Sequence, residues 1–183
     1  MSSSSPPAGS LAALSGTWVK DFAASDLEAY SRACDLLQLG GLQKTTALQL
    51  IEGMEIEQRG QQVAVRYLTV VPFFKVTEQM QLGSAVSMGR RDLRQGTQQA
   101  TAAAGPDGSL QVSISWAAPN AGSIEESYRL ATGGDTLECL STVTVAAGSA
   151  TTRTVYRRST SGWAPRYRWN PLSGIGLGGR SGQ

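Results

Sequence analysis

The chain has 183 residues, 40% of them hydrophobic and 16% charged, with a formal net charge of +2 at neutral pH. That is one domain with residues to spare, apolar enough to bury a core and too apolar to be wholly disordered. So small a net charge gives no ground for nucleic-acid binding, and the complete lack of histidine removes the commonest general base and the commonest metal ligand.

Residues 1–10, MSSSSPPAGS, are poor in hydrophobics and rich in Ser and Pro, and read as a disordered lead. They have neither the charged start nor the long apolar run of a secretory signal. The two cysteines, Cys34 and Cys139, lack Cys-x-x-Cys spacing and sit among apolar neighbours, which suits buried thiols. A cytoplasmic location is the expectation. The most apolar window, VAVRYLTVVPFF, is broken by Arg66 and Pro72 and is too short to span a bilayer.

Leu14 to Phe22 predicts a first strand. Ser25 or Asp26 can then cap a helix by accepting from the unpaired N–H groups of its first turn. That helix is predicted to run to about Leu39, with Leu27, Tyr30, Ala33, Cys34 and Leu37 on one apolar stripe. Gly40-Gly41 is expected to end it. The next stretch, LQKTTALQLI, fits either a second short helix or a direct lead into a strand.

From Met54 the apolar period becomes two. Met54 to Arg59 alternates, Gly60 turns, Val63, Val65 and Tyr67 share a face, and Phe74, Val76, Glu78, Met80 and Leu82 share the next. Turn-forming clusters then separate AVSMGRRDL, TQQATAAA, LQVSISWAA, SIEESYRLA, TLECLSTVTV and ATTRTVYRRS. With the first strand, about ten short antiparallel strands result, and a meander of that length must split into a sandwich or close into a barrel. Residues 160–183 lose all period and read as a flexible Gly/Arg-rich tail. Its Gly174-Ile-Gly-Leu-Gly-Gly179 matches G-x-G-x-x-G but lacks the strand before it and the helix after it that a dinucleotide site needs.

Gly16-Thr17-Trp18 with Lys20, Ser25-Asp26 and Tyr30 in the helix, LECLSTVTV with its Glu-Cys pair, and TVYRR at the close together resemble the intracellular fatty-acid-binding protein family. The likeness covers roughly residues 11 to 159; lipocalins, which share Gly-x-Trp, are the second choice. It implies an all-β, ten-stranded antiparallel up-and-down barrel with a helical cap between the first two strands. Trp18 would then plug the closed end, with a cation from Arg153, Arg157 or Arg158 on its face.

Many members of that family hold a ligand carboxylate with an Arg-x-Tyr pair on the last strand, helped by an arginine two strands earlier. Here Arg153 and Tyr156 are three apart, so a regular strand points them to opposite faces. Either a β-bulge restores the pairing or the clamp is absent, in which case Thr152, Thr154 and Tyr156 offer hydroxyls in its place. Tyr128 stands where the helper arginine would be. The resemblance therefore implies ligand contacts from Tyr67, Phe74, Val76, Met80, Trp116, Tyr128, Thr154 and Tyr156, with Arg153 joining them if the strand is bulged. Glu78 interrupts an apolar face. It either meets a ligand or water, serves as a base of raised pKa, or pairs with Arg90 or Arg91.

The function this implies is non-covalent binding and transport of a hydrophobic small molecule by a monomer, with no metal, no cofactor and no nucleic-acid partner. Arg32 and Lys44 near the cap would aid transient contact with anionic membranes. Two other readings stand beside it. One is a calycin-type isomerase using Glu78, a barrel tyrosine or Cys139. The other is an interaction protein that uses the basic, aromatic segment from Arg153 to Arg168.

Overall fold

The computed structural model describes residues 11–71, 76–92 and 94–165. Ten strands run β1 Gly16–Asp21, β2 Ile51–Arg59, β3 Gln62–Thr69, β4 Thr77–Gln81, β5 Ala85–Gly89, β6 Thr97–Ala104, β7 Leu110–Trp116, β8 Gly122–Leu130, β9 Thr136–Val145 and β10 Gly148–Ser159. Every hydrogen-bonded neighbour in the order β4-β3-β2-β1-β10-β9-β8-β7-β6-β5 is antiparallel, so β1 joins the two ends of the meander. The result is a nearly closed barrel. Its seam lies between β4 and β5, which form no ladder among the described residues; at their shared turn Gln81 bridges to Ser84, and Leu82 bridges to Ala102 of β6.

Alternation along the strands sets which side faces inward. On β7, Leu110, Val112, Ile114 and Trp116 are buried while Gln111 and Ser115 are exposed, and β6 and β9 repeat the pattern. The inward residues of all strands merge into one apolar cluster with Trp18 at its closed end. A short 3₁₀ turn, Leu11–Leu14, folds under that end and buries Leu11 and Leu14. The Trp18 indole donates to the Leu14 carbonyl at 2.8 Å. Of the three arginines considered, Arg158 is the one that covers it, 4.1 Å from the ring centroid. Its guanidinium also ties down the carbonyls of Ala13 and Ser15. On the neighbouring strand, a β-bulge between Ile51 and Gly53 brings the chain close to β1. A Cβ at position 53 would lie 2.2 Å from the Trp18 carbonyl oxygen, so only glycine fits.

The opposite end carries the helices. α1, Leu27–Leu36, is capped by Asp26, whose carboxylate accepts from the Ala29 N–H at 2.8 Å. Ser25 takes the other role open to it and stitches the cap to the barrel: its hydroxyl donates to the Asp21 carbonyl and accepts from the Val155 N–H. α1 ends earlier than the Gly-Gly pair predicts. Gln38 adopts φ +55°, with Gln38 N–H bonded to the Asp35 carbonyl and Leu39 N–H to that of Cys34. That is a Schellman ending built on glutamine. Gly40 instead precedes α2, Gly41–Thr45, which continues into a π-helical turn, Thr46–Leu50, before β2. The second-helix alternative for this stretch is thus the one adopted. The expected disorder of residues 1–10 lies outside the described residues, as does most of the predicted tail.

Candidate functional site

Between the cap and the packed bottom of the barrel lies a cavity of about 170 Å³. Its wall is largely apolar or hydroxyl-bearing. Tyr67 from β3, Tyr128 from β8, and Thr154 and Tyr156 from β10 all reach it, joined by Tyr30 and Cys34 from α1 and by Leu42 and Ala47 from the segment that follows. Four of the side chains singled out in the sequence therefore meet in one space. Three others do not line it. Met80 is buried in the core, Val76 is half-buried just before β4, and Trp116 is buried at the end of β7, where its indole donates to the Asn120 carbonyl and carries Arg90 on its face. Phe74 lies outside the described residues.

Arg153 is a correction. β10 pairs with β9 without a slip from Gly148 opposite Val145 to Arg157 opposite Thr136, so no bulge turns it inward. Thr152, Thr154 and Tyr156 are buried on the inner face. Arg153 projects outward, where it pairs with Glu138 and donates to the Ala24 carbonyl.

The charge inside the barrel comes from elsewhere. Arg91, on the turn between β5 and β6, sends its guanidinium into the cavity wall. Its Nε and Nη2 donate to Glu78 at 2.8 and 2.7 Å, and its Nη1 and Nη2 donate to Glu126 at 2.6 and 2.9 Å. Of the roles weighed for Glu78, the arginine pair is the one the fold adopts. Gln98 joins the backbone N–H of Arg91 to the Glu78 carboxylate. Tyr128 and Ser141 donate to Glu126 at 2.8 and 3.3 Å. Glu126 thus accepts four hydrogen bonds, the full capacity of a carboxylate. The Arg91 guanidinium also lies 5.4 Å from the Tyr67 ring centroid.

These contacts fix the protonation states. Burial pushes the Glu126 carboxyl upward, but the Arg91 charge and the hydrogen bonds from Arg91, Tyr128 and Ser141 outweigh it and hold the pKa below its ordinary value. Burial likewise works against the Arg91 cation, and the charges of Glu126 and Glu78 more than offset it. Burial raises the pKa of Tyr67, Tyr128, Tyr156 and Tyr30, so these phenols keep their protons. The Cys34 thiol is pushed up to about 11 by burial, and Cys139 is raised for the same reason, leaving both as neutral thiols.

Glu126 was legible in principle, because Ile124, Glu126 and Tyr128 alternate on one face of β8. Arg91 sits in a turn, where no period says which way a side chain points. No group of three or more potential metal ligands is found among the described residues.

Solved lipid-binding barrels share this architecture. Lipid-binding protein 8 of Caenorhabditis elegans superposes with a TM-score of 0.63 at 14% identity, covering 80% of this chain and 96% of that one. A Schistosoma mansoni fatty-acid-binding protein in complex with arachidonic acid gives 0.60 at 16% identity, covering 83% and 100%. Zebrafish ileal bile acid-binding protein with cholic acid gives 0.59 at 16%, covering 80% and 99%. No protein-family model matches the sequence, and no curated protein matches it. The fold is that of the fatty-acid- and bile-acid-binding barrels.

Proposed function

We propose that this chain binds a hydrophobic small molecule inside the barrel and carries it without covalent chemistry. One observation carries the reading: a capped, mostly apolar cavity within a fold whose solved examples enclose lipids. Largely pre-formed concave sites with a few convergent polar groups are the usual form of a small-molecule site. Against the isomerase reading, Glu78 is engaged by Arg91 and Gln98, and both cavity thiols are neutral. Loading is proposed to occur through the cap. Leu42, 62% exposed on α2 and also part of the cavity wall, stands beside Lys44 and would touch a membrane first. In this reading the protein works as a cytoplasmic monomer.

The test is native mass spectrometry of the purified protein with organic extraction of bound material, followed by calorimetry against uncharged and anionic hydrophobic compounds of graded length. Wild type should bind, and Thr154→Trp, which fills the cavity, should lose binding while keeping its circular dichroism. A protein that retains nothing and binds none of the panel would end the carrier reading.

A further inference from the structure

Resting on that reading, we infer that the site selects a small, uncharged ligand bearing a carbonyl-type oxygen, received by the Tyr156 hydroxyl with Tyr67 and Tyr30 beside it, and that it rejects carboxylates.

The rejection follows from charge. Arg91 is the cation that lines the cavity, and two carboxylates already occupy it. Three other shielded cations among the described residues do not line the cavity. Lys20 lies over the rings of Phe22 and Tyr30, Arg90 pairs with Asp92 under Trp116, and Arg158 covers Trp18. A ligand carboxylate would arrive as a third anion facing one guanidinium, or would have to evict Glu126 and leave that charge buried without its partner. Either course is costly in an interior of low dielectric.

The preference for an acceptor oxygen follows from the hydroxyls. Tyr156 is only 7% exposed and borders the cavity, yet its hydroxyl makes no hydrogen bond to any described residue; the same holds for those of Tyr67 and Tyr30. The Tyr128 hydroxyl, in contrast, is spent on Glu126. The one fully enclosed side-chain nitrogen or oxygen without a partner among the described residues is Asn120 Nδ2, so the hydroxyls of Tyr156, Tyr67 and Tyr30 are not sealed in but open onto the cavity they line. A protonated phenol aimed into an apolar space is a donor waiting for an acceptor, and a ketone, aldehyde or ester oxygen supplies one without bringing charge.

Size completes the description. A cavity of about 170 Å³ is close to the engineered apolar cavity of about 150 Å³ that holds benzene, so a single ring or a chain of about ten non-hydrogen atoms is the natural scale. It falls below the roughly 300–1,000 Å³ of sites for drug-sized ligands.

Calorimetry near neutral pH with heptyl methyl ketone and octanoate, two compounds of matched length, decides the matter. The ketone should bind at least about tenfold more tightly than octanoate. Tyr156→Phe should weaken the ketone by about fivefold, the worth of one hydrogen bond, without lowering thermal stability. Octanoate binding as well as the ketone would overturn the charge argument while leaving the carrier function standing. An unchanged ketone affinity in Tyr156→Phe would overturn the donor assignment. Tighter binding of the long pentadecyl methyl ketone would overturn the size limit. Failure of both short and long compounds of either charge to bind would overturn this inference together with the proposed function.

Discussion

Arg91 spends its charge on the protein itself. Setting one guanidinium between Glu78 and Glu126 desolvates three ionised groups, and such clusters are tolerable only when every hydrogen-bonding position is met. Gln98, Tyr128 and Ser141 meet most of the positions that Arg91 leaves. Removing the cation alone should therefore be far worse than removing the whole cluster. Arg91→Met is expected to cost about 3–5 kcal/mol, because two buried carboxylates are left facing each other. Arg91→Met combined with Glu78→Gln and Glu126→Gln should recover most of that loss. Urea unfolding of the three proteins measures it; equal destabilisation by the single and triple variants would show that the cluster acts by packing and not by charge balance.

At the scale of elements, the cap shows where local chemistry and tertiary demand part. A helix that must turn back over the barrel after Leu36 does so with Gln38 at φ +55°, although glycine stands only two residues further on. A non-glycine residue there bears a penalty of about 1–2 kcal/mol per residue. Gln38→Gly is expected to raise the unfolding free energy measured with urea, by up to about 1 kcal/mol after the entropy that glycine adds to the unfolded chain. No change, or a loss, would mean that Gln38 contributes contacts that outweigh its backbone strain. The same cap shows what sequence can convey. Its N-terminus was legible because Ser25 or Asp26 before an amphipathic stripe can cap a helix there, and the structure gives that part to Asp26. Its C-terminus was not, because the turn is set by where β2 must begin and not by the nearest glycine. On the strands the resemblance pointed to Tyr67, Tyr128, Thr154 and Tyr156 among its ligand contacts, alternation did not say which face lay inward, and the spacing of Arg153 and Tyr156 already argued against a clamp. Arg91 escaped because turns have no period. The absence of a bulge in β10 could be judged only with β9 beside it.

For the molecule as a whole, the lack of histidine sets the response to pH. No side chain of ordinary pKa titrates between about pH 6 and 8, and the two buried thiols are pushed above that range. Stability should be flat there. Below it, the groups with depressed pKa take over: Asp21, Asp92, Asp107, Glu126 and Glu138. A carboxyl held lower in the folded state than in the unfolded one stabilises fully above the unfolded pKa and loses that contribution as pH falls through the folded one. Stability is therefore expected to decline from about pH 5 downward. Glu126→Gln should be less stable at neutral pH and decline less steeply, since Glu126 is the one of these five that is buried against Arg91. Parallel acid curves for the two proteins would remove Glu126 from the explanation.

The turn from β5 to β6 has two ends of its own. Arg91 points down into the barrel, while its neighbours reach up to the cap. The Asp92 carbonyl accepts from Gln43 in the middle of α2, and Arg94 donates to the Gln38 carbonyl just past the end of α1. The turn thus links the two, with its inner arm seated between two glutamates and its outer arms fastened to the cap. Disturbing the inner seat should loosen the outer fastening. In Arg91→Met, backbone amides of residues 42–47 should exchange hydrogen with solvent faster than in wild type, beyond any change at the closed end around Trp18.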